Sequence, residues 1–83
     1  MELRFHLSGS TLFSTQADAV PPIGSKAIIT TESYKSGLPA GSIIEFEVGK
    51  IEPIEIEYDS NGSMVARISV NGYDEIKRGP EPD

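Results

Sequence analysis

Apolar and polar residues alternate with a period of two in four separate stretches of the chain, and this pattern narrows the secondary structure to strands. Leu3, Phe5 and Leu7 interleave with Glu2, Arg4 and His6, and Ile44, Phe46 and Val48 with Ile43, Glu45 and Glu47. Ile54, Ile56 and Tyr58 interleave with Glu55 and Glu57, and Met64, Ala66, Ile68 and Val70 with Val65, Arg67 and Ser69. Successive side chains of a strand point to opposite faces, so each stretch predicts a strand with one apolar and one polar side. Clean alternation marks half-buried, antiparallel strands rather than strands covered on both faces.

Turn chemistry separates these stretches. Ser8-Gly9-Ser10 ends the first strand, and Thr11 to Thr15 predicts a second short one. Gln16 to Val20 is assigned a single helical turn, stopped by Pro21-Pro22, because a residue before proline is pushed out of the α region. Lys26 to Glu32, rich in β-branched residues, predicts a further strand that runs into a long loop from Ser33 to Gly41. A two-residue turn on Asn61-Gly62 would place Tyr58 opposite Val65 and mix the two faces. A three-residue loop, Ser60-Asn61-Gly62, with Gly62 left-handed in a bulge, instead pairs Glu55 with Arg67, Ile56 with Ala66, Ile54 with Ile68 and Tyr58 with Met64. Asn71-Gly72 is then expected to turn the chain so that Tyr73 to Ile76 lies beside Met64 to Val70.

These elements predict an all-β fold: a small antiparallel barrel or roll of about five or six short strands with little or no helix. Its size class is that of SH3-like and OB-like barrels, a similarity of architecture alone, which implies no function. At 83 residues the chain has room for one core. Residues 1–76 are expected to form a single β domain and residues 77–83, which lack an apolar anchor, a flexible tail. No stretch approaches the ~18 apolar residues of a membrane span, and the polar run before Ala17-Asp18-Ala19 excludes a signal-peptide reading there. The chain contains no cysteine, so no disulfide framework or thiolate metal site is expected, and a cytoplasmic location suits the composition. Asn61-Gly62-Ser63 matches a glycosylation acceptor, but a hairpin turn accounts for it.

Catalytic constellations are thin. His6 is the one histidine, and no nucleophile is fixed near it by spacing. Gly37-Leu38-Pro39-Ala40-Gly41-Ser42 lacks the lysine and the following helix of a phosphate loop. Asp59-Ser60-Asn61-Gly62-Ser63 begins like a calcium loop without the remaining ligand spacing. The sequence therefore predicts no enzyme and no cofactor. Scattered basic residues and a net charge of −6 argue against direct nucleic-acid binding.

The carboxylates are the non-random pattern. Glu45 and Glu47 lie on the polar side of one expected strand, and Glu55 and Glu57 on that of the next. If the two strands pair, Glu45 faces Glu57 and Glu47 faces Glu55, a destabilising arrangement of like charges. Nearby cations relieve it, with Arg67 set opposite Glu55 and Lys26 or Lys50 approaching, or a basic protein surface does. The sequence thus points to a protein-protein interaction or accessory module of the kind found in compact bacterial or phage genomes. The alternative is an acidic inhibitor or nucleic-acid mimic. Tyr34, Lys35 and Leu38, on the long loop, form a second candidate contact region, the competing role for Tyr34 and Leu38 being to cap an open end of the core.

Overall fold

The computed structural model describes residues 1–35 and 37–81. Seven strands form: β1 (Glu2–Leu7), β2 (Ser10–Gln16), β3 (Lys26–Thr30), β4 (Ile43–Glu47), β5 (Glu55–Tyr58), β6 (Met64–Ser69) and β7 (Asp74–Lys77). They sort into a four-stranded sheet, β2-β1-β6-β5, and a three-stranded sheet, β3-β4-β7. The fold is all-β, as the alternation predicts, but the strands do not close into a barrel among the described residues. The segment assigned a helical turn, residues 16–20, instead ends β2 and continues as irregular chain. The backbone N–H of Ala17 donates to the Met1 carbonyl, so the segment is held as an extension of the ladder.

The apolar faces meet between the sheets. Leu3, Phe5 and Leu7 of β1 and Ala66, Ile68 and Val70 in and after β6 form one wall, while Ile29, Ile44, Phe46 and Val48 form the other. Phe5 and Phe46 join them edge to face at a centroid distance of 5.7 Å, a favoured aromatic geometry. Strand β4 is central in its sheet, and its inward residues Ile44 and Phe46 are 0% and 4% exposed. The inward faces expected for β1, β4 and β6 are therefore the observed ones.

The β5–β6 hairpin has the expected register, with Glu55 opposite Arg67, Ile56 opposite Ala66 and Tyr58 opposite Met64. Gly62 takes φ = 82°, its N–H donates to the Asp59 carbonyl, and the Asp59 N–H donates to the Ser63 carbonyl. This is a type I turn closed by a left-handed glycine bulge. The faces match; the depth does not. Ile56 and Tyr58 are 40% and 69% exposed, in keeping with the place of β5 at the sheet edge, where β6 is its neighbour.

Two pairings differ from the sequence expectation. β7 does not pair with β6; it runs antiparallel to β4, with Asp74 opposite Glu45. The free side of β6 is taken by β1, in parallel, with Phe5 opposite Ile68. A strand has two edges, and the buried trio Leu3, Phe5 and Leu7 brings more apolar surface to β6 than Tyr73 to Ile76 would. The sheet is thus mixed rather than purely antiparallel.

The segment expected as a tail is held at three points within the described residues. Lys77 pairs with Ile43, the Gly79 N–H donates to Ser42 Oγ at 2.9 Å, and Arg78 Nη2 donates to the Gly37 carbonyl. Ser42, fully buried, also donates from Oγ to the Pro39 carbonyl at 2.7 Å, and Thr31 Oγ1 donates to the same carbonyl at 2.8 Å. A Cβ on Gly79 would lie 2.2 Å from the Ala40 carbonyl oxygen, so this approach requires glycine. Pro82 and Asp83, the end of the expected tail, lie outside the described residues.

Candidate interaction surface

The four singled-out glutamates divide between the two sheets. β4 and β5 are not paired, so Glu45 does not face Glu57, nor Glu47 face Glu55. The expectation of opposed carboxylates fails because each strand takes other neighbours: β3 and β7 flank β4, and β6 alone flanks β5.

On β4 one lysine stands beside both glutamates. Lys26 Nζ bridges Glu45 at 3.1 Å, and Lys26 is the register partner of Glu47. The hydrogen bond to Glu45, and that carboxylate's charge, raise the Lys26 pKa above its ordinary value, with smaller contributions from Asp74 and Glu47. Of Lys26 and Lys50, the two lysines expected to approach, Lys26 forms this ion pair. On β5, Glu57 is bridged by Arg67 Nη2, while Glu55 sits opposite the same Arg67 in the ladder. One guanidinium therefore serves two exposed carboxylates, and Glu52 precedes them on the same connection.

A polar cleft of about 240 Å³ opens on this side, lined by residues that include His6, Glu52, Glu55, Arg67, Ser69 and Asn71. His6 and Ser69 are register partners on β1 and β6, which places the cleft on the outward side of the four-stranded sheet. Asn71 Nδ2 donates to Ser69 Oγ at 3.0 Å and to Glu52 Oε1 at 3.4 Å, tying the turn after β6 to the β4–β5 connection.

The long loop splits its candidates. Leu38, 2% exposed, is part of the core, so it caps the apolar interior. Tyr34 does not fold back with it and stands 55% exposed. Lys35 forms an isolated bridge with Leu38, and its Nζ donates to the Thr11 carbonyl at 2.9 Å on the outer strand β2. Ser36, inside this loop, lies outside the described residues. The loop residues are not brought together with the glutamates of β5, which border different strands.

Asp59 is occupied by its own turn: Oδ1 accepts from the backbone N–H groups of Asn61 at 2.8 Å and Ser63 at 2.9 Å. Among the described residues no group of three His, Cys, Asp or Glu side chains is placed to hold a metal ion, and no helix is long and apolar enough to cross a membrane.

Ile56 and Tyr58 are the surface residues that the sequence reading missed, having assigned them to the core. Signals for an edge position were present: a short strand, Pro53 just before it and alternate glutamates within it. No family model, curated protein or solved structure matches the chain.

Proposed function

We propose that this protein is a non-enzymatic, acidic β module that binds a protein with a basic surface through the outward side of β5. The supporting observation is exposure: Glu55 and Glu57 both stand exposed on an edge strand beside Arg67, whereas Glu45 is half-buried against Lys26 on a strand flanked on both sides. A half-buried, bridged carboxylate between two strands is poorly placed to meet a partner, while exposed carboxylates on an open edge attract a cationic one through a field that salt screens. The division of the glutamates between two sheets breaks up the continuous acidic row that a nucleic-acid mimic would present, and so favours the module reading over that of an inhibitor. The cysteine-free composition supports a cytoplasmic setting.

The test compares the native protein with two double variants, Glu55→Gln/Glu57→Gln and Glu45→Gln/Glu47→Gln, as baits in capture from cell lysate at low and high salt. The expected result is a salt-sensitive bound protein that the β5 variant loses and the β4 variant keeps. Identical capture by all three baits would overturn the proposal.

A further inference from the structure

Each sheet has two outer strands, and they are not equivalent. β2 and β7 each carry a register shift in their ladders, and Lys35 lies across β2. Bulges twist an edge away from further pairing. β3 and β5 are regular to their ends. In the β5 hairpin Asp59 and Ser63 are a hydrogen-bonded pair. Such pairs alternate along an antiparallel ladder, so Glu57 and Glu55 also bond to β6, and the N–H and C=O groups of Ile56 and Tyr58 point to the open side. The strand therefore presents unpaired backbone groups, two exposed apolar side chains on one face and two carboxylates on the other.

A second copy of the chain does not suit this edge. Antiparallel pairing of β5 with itself through its open residues sets Glu55 opposite Glu57, or Glu57 opposite Glu57 with Glu55 opposite Asp59, or Glu57 opposite Asp59. Each register juxtaposes like charges. On β3, the Val48 N–H donates to the Ser25 carbonyl and the Thr31 N–H to the Ser42 carbonyl, so Lys26, Ile28 and Thr30 are its open residues. Pairing these with Ile56 and Tyr58 would set Ala27 and Ile29 against the carboxylates and leave Lys26 on the wrong face.

We propose that β5 is a docking edge for an extended protein segment that alternates basic and apolar residues and adds as a fifth strand to the four-stranded sheet. This rests on the reading of β5 as the surface for a basic partner and specifies how that partner binds. Main-chain bonds to Ile56 and Tyr58 supply affinity, and side-chain alternation supplies selectivity. Apolar side chains of the segment lie beside Ile56 and Tyr58. Basic ones lie beside Glu57 and Glu55, and the one nearest Glu55 borders the cleft of about 240 Å³ that Glu52 and Glu55 line together with Arg67 and His6. The carboxylates that exclude a second copy are the groups that admit this occupant.

The test titrates the intact protein with three blocked peptides, followed by amide shifts and hydrogen exchange. One alternates lysine and valine, one has the same composition in two segregated blocks, and one is the alternating peptide N-methylated on the bonds that would face β5. The expected result is binding of the alternating peptide with slowed exchange at the Ile56 and Tyr58 amides, and a loss of about tenfold or more in affinity for the other two, as befits several missing main-chain bonds. In the protein, Ile56→Pro removes an N–H that β6 does not use and is expected to abolish the preference. The N-methylated peptide makes the same cut without altering the protein. Equal binding of all three peptides overturns strand addition and leaves the acidic surface standing. Binding by none overturns both.

Discussion

Strands β4 and β5 have nearly the same alternating pattern, Ile-Ile-Glu-Phe-Glu in one and Ile-Glu-Ile-Glu-Tyr across residues 54–58, and they end in opposite circumstances. β4 lies between two strands, with its apolar residues against the other sheet. β5 has one neighbour and leaves its aromatic ring in water. Period two encodes which side chains share a face. It does not encode how much of that face is covered, which depends on where the strand enters the sheet.

The sharpest way to break this comparison is to truncate the aromatic residue of each strand. Phe46→Ala is expected to cost about 3–5 kcal/mol, because it opens a cavity where the two sheets meet and removes the edge-to-face contact with Phe5. Tyr58→Ala is expected to stay within about 0.5 kcal/mol of the native protein, as surface changes do. Urea unfolding of both variants measures the difference. Equal losses would mean that β5 is as deeply packed as β4.

A smaller effect probes what holds β4 at its entrance. Ser42→Ala leaves the Gly79 N–H without its acceptor in a buried position, at an expected cost of about 1–3 kcal/mol. Faster amide exchange at Gly79 should accompany that loss, and unchanged protection there would show that Ser42 does not hold the C-terminal segment.

The smallest effect concerns charge. Lys26 has its pKa raised in the folded state by Glu45, so the stabilisation is fully present below the ordinary value of 10.5 and is lost as pH rises through the folded value. The stability gap between the native protein and Glu45→Gln should therefore narrow in strongly alkaline solution. Thermal melts across that range check this, and a gap that stays constant with pH would remove the Lys26–Glu45 pair from the account.

What was legible in the sequence was local. The β5–β6 register followed from two constraints a few residues apart, the turn chemistry of Ser60-Asn61-Gly62 and the need to keep Tyr58 and Met64 on one face. That Lys26 or Lys50 would approach the carboxylates was legible too; that Lys26 bridges Glu45 follows from the β3–β4 pairing, which the sequence does not state. The second partner of β6 and the partner of β7 were not legible. β1 and the segment from Tyr73 to Ile76 both offer alternating apolar residues, and the choice between them turns on total apolar area buried, a quantity no window of the sequence contains. The position of β5 is hidden for the same reason: Ile56 and Tyr58 have the composition of core residues, and it is on an edge strand that they stand exposed.

The parallel ladder of β1 and β6 joins Glu2 to Val65, so the four-stranded sheet cannot be completed until nearly the whole chain has been gathered. The three hairpin-like pairs, β1–β2, β3–β4 and β5–β6, close over shorter distances and at lower entropic cost. A topology of this kind folds on the slower, millisecond-to-second side of the range for small domains. Until β1 docks, β6 has one side open and its apolar residues in water, the kind of edge through which partly folded chains associate.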